Sequence, residues 1–92
     1  MRVIDIDRLK LIDNHIHYIK EYEGSVILMD NKMQIKRSGI KFSIEYKPIG
    51  PHEIKIHYLE DNNLPRDIIF PKIKERIVKL DKDGVLAALH KN

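Results

Sequence analysis

MQIKRSGIKFSIEYKPIGPHEIKIHY, residues 33–58, is the stretch that decides the fold. Met33 and Ile35, then Ile40, Phe42, Ile44 and Tyr46, then Ile54, Ile56 and Tyr58 alternate with polar residues. Successive side chains of a strand point to opposite faces, so this two-residue beat predicts a sheet with one face in a core and one in water. The water-facing set is Lys32, Gln34, Lys36, Lys41, Ser43, Glu45, Lys47, Glu53, Lys55 and His57, a Lys-rich face. Every aromatic of the stretch falls on the core side.

Turn residues divide the stretch and its flanks. Ser38-Gly39 is expected to turn the chain between strands 33–36 and 40–46, and Pro48-Ile49-Gly50-Pro51 to break it before strand 53–59. On the N-terminal side, Val26 to Met29 reads as a short apolar strand covered on both faces, turned into the next by Asp30-Asn31-Lys32. Residues 3–22 carry two patterns. Leu9, Ile12, Ile16 and Ile19 fit a helix capped by Asp7 and ended by Gly24, whereas Leu9-Lys10-Leu11 and His15-Ile16-His17-Tyr18 alternate around the turn pair Asp13-Asn14. Two strands are the preferred reading. Short connections make consecutive strands antiparallel neighbours.

On the C-terminal side, Pro65 delays regular structure and Pro71 suits a helix's first turn. Ile73, Ile77 and Leu80 then recur at helical spacing, which predicts a helix over 71–81 with Lys72, Lys74, Arg76 and Lys79 around its apolar stripe. Asp81-Lys82-Asp83-Gly84 reads as a helix cap or a hairpin turn, and Val85 to Leu89 as a last helical turn or an edge strand. The expected fold class is α+β: an antiparallel meander of about five strands with one C-terminal helix packed on one face.

Composition sets the wider bounds. A chain of 92 residues has room for a single domain, 1–92, with one modest core. An apolar share of 42% beside 34% charged residues belongs to a folded globular chain. The absence of cysteine removes disulfides, thiolate metal sites and cysteine nucleophiles together, and fits a reducing cytoplasm. No apolar run has signal-peptide or membrane-span length, so no membrane role is expected. Heavy use of Ile and Lys, with Ala only at 87 and 88, is the bias of an AT-rich genome and suggests a prokaryotic or phage source.

Charge is unevenly spread. Residues 32–47 hold five Lys or Arg against one acidic residue, and residues 70–92 hold six against three, with an acid-rich segment between them. If these segments met, they would, together with Lys55 of the outer strand face, offer a phosphate-binding surface of Lys32, Lys36, Arg37, Lys41, Lys47, Lys72, Arg76 and Lys79. With no aromatic on the polar face, such a surface would contact nucleic-acid backbone and not read bases. The alternative is a solvated face on which Lys and Glu pair across strands.

Candidates for chemistry are sparse. His15 and His17 would share one side of a strand, within reach of one metal ion if a third ligand joined them. Ser25, Ser38 and Ser43 lie in no nucleophile elbow, the glycines at 24, 39, 50 and 84 form no phosphate loop and read as turn residues, and threonine is absent. Paired carboxylates sit in polar stretches that do not raise a pKa. No catalytic residue and no cofactor is implied. Glu45-Tyr46-Lys47, Gly50-Pro51-His52 and strand 53–58 resemble the middle of a double-stranded RNA-binding domain, and Ala87-Ala88-Leu89 resembles its last helix. The Lys-Lys-x-Ala-Lys cluster of that family is missing here, and no residue role carries over.

The function these features suggest is non-enzymatic: a small binding, adaptor or assembly protein working through protein contacts. The partner, another protein or a second copy, would engage an edge strand or the apolar tail of Val85, Leu86 and Leu89. The tail's other reading is packing on the chain's own sheet.

Overall fold

The computed structural model describes residues 1–12, 18–60 and 63–90. Four strands run in sequence order: β1 (Arg2–Ile12), β2 (Ile19–Met29), β3 (Ile35–Glu45) and β4 (Glu53–Tyr58). Two helices follow, α1 (Arg66–Lys82) and the single turn α2 (Val85–Ala88). Each strand pairs antiparallel with the next in the order β1-β2-β3-β4, so the fold is an α+β meander with its helices on one face. Among the described residues the count is four strands and not five, because Gly24 and Gly39 lie inside strands where turns were expected.

Both glycines are strand residues for reasons of space. Asp7 faces Ser25 and Lys10 faces Glu23, which leaves Arg8 and Leu9 together opposite Gly24. This is a β-bulge, with Arg8 at φ 53° supplying the left-handed step. Gly24 sits where that crowding falls, at a place where a Cβ would meet Ile6, Leu9 and the Asp7 carbonyl. Gly39 pairs with Ser25 and is covered by Leu59. The turns that do form between strands follow local chemistry: at the β2–β3 hairpin Asp30 Oδ1 accepts the backbone N–H groups of Lys32 and Gln34, both at 2.9 Å.

Continuity of β3 through Ser38-Gly39 changes which face carries which residue. Ile40, Phe42 and Ile44 face the helices and are fully buried, so by strand parity Lys36 and Ser38 share that face, while Ile35, Arg37, Lys41 and Ser43 share the other. Lys36 and Lys41 therefore do not lie together, and Ile35 is 56% exposed on the outer face. That face is not a Lys-rich surface. Lys10, Arg37, Lys41 and Lys55 lie among Asp7, Glu21, Glu23, Glu45 and Glu53 in the register of the ladder. Ile27 and Met29 of β2 also point outward, so that strand is covered on one side only.

The core lies between the inner face and α1. Ile6, Tyr22, Val26, Leu28, Ile40, Phe42 and Ile44 meet Ile69, Ile73, Ile77, Leu80 and Leu86. Tyr22 stacks on Phe42 with ring centroids 5.2 Å apart. The helix starts five residues before the expected 71, with Pro65 at its N-cap and Pro71 inside it. Ile69 adds a turn to the stripe of Ile73, Ile77 and Leu80, and this burial outweighs the hydrogen bond that Pro71 cannot donate. Asp83 caps α1, and Gly84 at φ 80° redirects the chain into α2. Leu86 then fills the core with no exposure, so Val85 to Leu89 is a helical turn on the chain's own sheet.

Candidate protein-binding groove between β4 and α1

Helix α1 packs more closely on β1 than on β4. Its stripe of Phe70, Lys74, Val78 and Lys82, each four residues after the last, faces the space this leaves on the β4 side. Two adjoining hollows result. One, of about 310 Å³, is lined by Ile54, Ile56, Phe70, Pro71 and Lys74. The other, of about 380 Å³, is lined by Ile44, Pro51, His52, Ile54, Val78, Asp81 and Lys82. Together they form an apolar trough along β4, with Lys74 and Lys82 on its helical wall.

The backbone of β4 adds a second property. Antiparallel ladders alternate between residues that exchange hydrogen bonds and residues that do not. Leu59 N–H donates to the Gly39 carbonyl at 3.0 Å, which fixes the phase. His57 and Lys55 are then the residues bonded to β3, opposite Lys41 and Ser43. Ile54, Ile56 and Tyr58 direct their N–H and C=O groups away from β3, at the free edge of the sheet. These same residues line the trough or pack beside it, so side-chain and main-chain binding groups coincide.

Each end of the trough is closed by side-chain contacts. Tyr58 packs against Phe70 at 4.9 Å between centroids, and the Arg66 guanidinium lies over both rings. At the other end Tyr46 O–H donates to Asp81 Oδ1 at 3.2 Å, and the His52 ring meets Tyr46 edge-on. Burial, with the Asp81 carboxylate second, pushes the Tyr46 phenol well above its ordinary range. Burial likewise raises Tyr22, whose hydroxyl lies 2.8 Å from His90 Nε2. Phenols held neutral in this way brace the C-terminal turn against the sheet and offer no base.

The basic residues proposed for phosphate contact are dispersed. Lys41 and Lys55 lie on the outer face, Lys32 is at the β2–β3 hairpin, and Lys36 is on the inner-face phase near Leu64 and Pro65. Arg37 is held by Asp7 at 2.7 Å and Lys47 by Glu53 at 3.7 Å. Lys72, Arg76 and Lys79 line a separate furrow of about 440 Å³ with Arg2, Val3 and Glu75, between β1 and α1. There Arg76 pairs with Asp5 at 2.9 Å, and Lys72 donates to the Met1 carbonyl at 2.7 Å. The two basic segments therefore do not merge into one patch.

Among the tail residues, Leu86 is buried, Leu89 packs against the core and Val85 is 40% exposed. His15 and His17 lie outside the described residues. The trough itself was missed from sequence, because nothing local in Ile54 or Val78 distinguishes a half-covered position from a covered one. The basic spacing Lys74, Lys82 around Val78 was its one legible trace.

No protein-family profile matches the chain, and no solved structure matches it. A stretch of 41 residues, 45% of the chain, is 42% identical to part of an ATP-dependent (S)-NAD(P)H-hydrate dehydratase of Pediculus humanus subsp. corporis. It spans 14% of that protein's length. A likeness of this extent carries neither the relative's fold nor its reaction to this chain. No helix among the described residues is long and apolar enough to cross a membrane.

Proposed function

We infer that the protein is a non-enzymatic binding module, acting in the cytoplasm, that takes an extended segment of another polypeptide along β4. The observation that carries this reading is the coincidence of outward N–H and C=O groups at Ile54, Ile56 and Tyr58 with the trough beside them. An added strand draws affinity from main-chain hydrogen bonds and specificity from pockets for alternate side chains. Six residues of β4 offer roughly 20 Å of edge.

The reading is tested with a fluorescent seven-residue peptide bearing Val at alternate positions and Gln between them. Binding followed by anisotropy is expected for the native chain, weakened about tenfold or more by Val78→Lys, a change of at least about 1.4 kcal/mol. Val78 is 38% exposed, so the substitution obstructs the trough without emptying the core. Equal affinity for both chains, or no binding, contradicts the reading.

The furrow beside β1 favours a second reading, contact with nucleic-acid backbone, because Arg2 and Lys72 make no ion pair there among the described residues. Such contact requires affinity for mixed DNA and RNA that falls steeply with salt. Absence of binding at about 50 mM salt ends it.

A further inference from the structure

We propose that the β4 edge selects a partner segment in which acidic residues alternate with apolar ones, and that Lys55 bars the edge from pairing with a second copy of this chain. The proposal rests on the strand-addition reading and adds to it the chemistry of the partner.

The charges around the edge are of one sign where they are free. Lys55 projects from β4 onto the outer face, and Lys74 and Lys82 stand on the helical wall of the trough. None of the three makes an ion pair among the described residues, whereas Glu53 on the same strand is taken by Lys47 and Asp81 by Tyr46. A strand laid antiparallel on β4 places alternate side chains over Ile54, Ile56 and Val78, in the trough. Its other side chains fall beside Lys55 and His57 on the outer face. Apolar residues satisfy the first set, and a carboxylate beside Lys55 satisfies the second.

The same geometry disfavours a homodimer. The outward groups belong to Ile54, Ile56 and Tyr58, so a two-fold pairing of β4 with itself must keep even-numbered residues opposite one another. The registers with most overlap centre on Lys55 or on Ile56. The first sets Lys55 against its own copy, and the second sets it against His57 of the other chain. Neither gives Lys55 an acid, and like charges directly opposite destabilise a strand pair. A lysine at this place is the usual guard of an exposed edge.

Three peptides with Val at the same alternate positions and Glu, Gln or Lys between them decide the matter, measured by anisotropy on the full chain. The Glu peptide should bind about threefold tighter than the Gln peptide, the fold-change that one exposed ion pair with Lys55 supplies, and the Lys peptide should bind weakest. The Glu advantage should shrink with added salt and with Lys55→Gln. Light scattering should give a monomer for the native chain and a dimer for Lys55→Val. Equal binding of the Glu and Gln peptides overturns the acidic selectivity while leaving strand addition standing. Failure of all three to bind overturns both, and a native dimer broken by Ile56→Lys overturns the guard role of Lys55.

Discussion

A Cβ on Gly24 would lie 3.0 Å from Ile6 Cγ2, 3.1 Å from Leu9 Cδ2 and 3.3 Å from the Asp7 carbonyl oxygen. The side chains could yield by a few tenths of an ångström, but the carbonyl belongs to the bulged backbone of β1. Gly24→Ala should therefore cost about 1–3 kcal/mol, the range for overpacking a filled site, read from the urea midpoint at unchanged slope. A neutral result would mean the bulge relaxes freely. At Asp7 the paired guanidinium of Arg37, 2.7 Å away, holds the carboxyl below its ordinary value of 3.8. The folded pKa is depressed, so this pair's stabilisation is present above the unfolded pKa and is lost as pH falls through the folded one. The ¹³C carboxyl titration of Asp7 should show a midpoint below 3.8 that rises in Arg37→Gln. An unchanged midpoint in the variant contradicts the pairing.

At the scale of elements, the meander and the helix stripe were legible because each rests on periodicity, which a sequence displays directly. Ile40, Phe42 and Ile44 alternate and are buried, and Ile73, Ile77 and Leu80 recur and are buried. The phase between segments was not legible. Ser38-Gly39 has turn chemistry, yet Ser38 pairs with Val26 and Gly39 with Ser25 in an unbroken ladder. Cross-strand pairing overrode the local preference, and with it went the expected Lys-rich face. The helix start was misread for a related reason: Pro71 resembles a first-turn residue, but burial of Ile69 extends α1 back to Arg66. Since Pro71 is exposed and withholds one N–H from the helix, Pro71→Ala should stabilise the protein by about 1–3 kcal/mol in urea unfolding. Destabilisation would show that the proline ring packs in the trough more than it strains the helix.

Over the whole molecule, one asymmetry organises the rest. Helix α1 closes on β1 through Arg76–Asp5 and Lys72–Met1 and stands off β4. The β1 side gains an ion pair and a hydrogen bond to backbone, and the β4 side keeps an open trough beside an unpaired strand edge. Such a trough depends on the angle between helix and sheet, which no short segment of sequence specifies. Its charges were visible as isolated lysines, and their grouping required the fold. Amide hydrogen exchange on β4, with and without the Glu-containing peptide, tests the central claim most directly. In the free chain Ile54, Ile56 and Tyr58 should exchange fast while Lys55 and His57, bonded to β3, exchange slowly. With peptide bound, the three fast amides should become protected. If they stay fast while protection appears elsewhere, or are already slow in the free chain, β4 is not the binding edge.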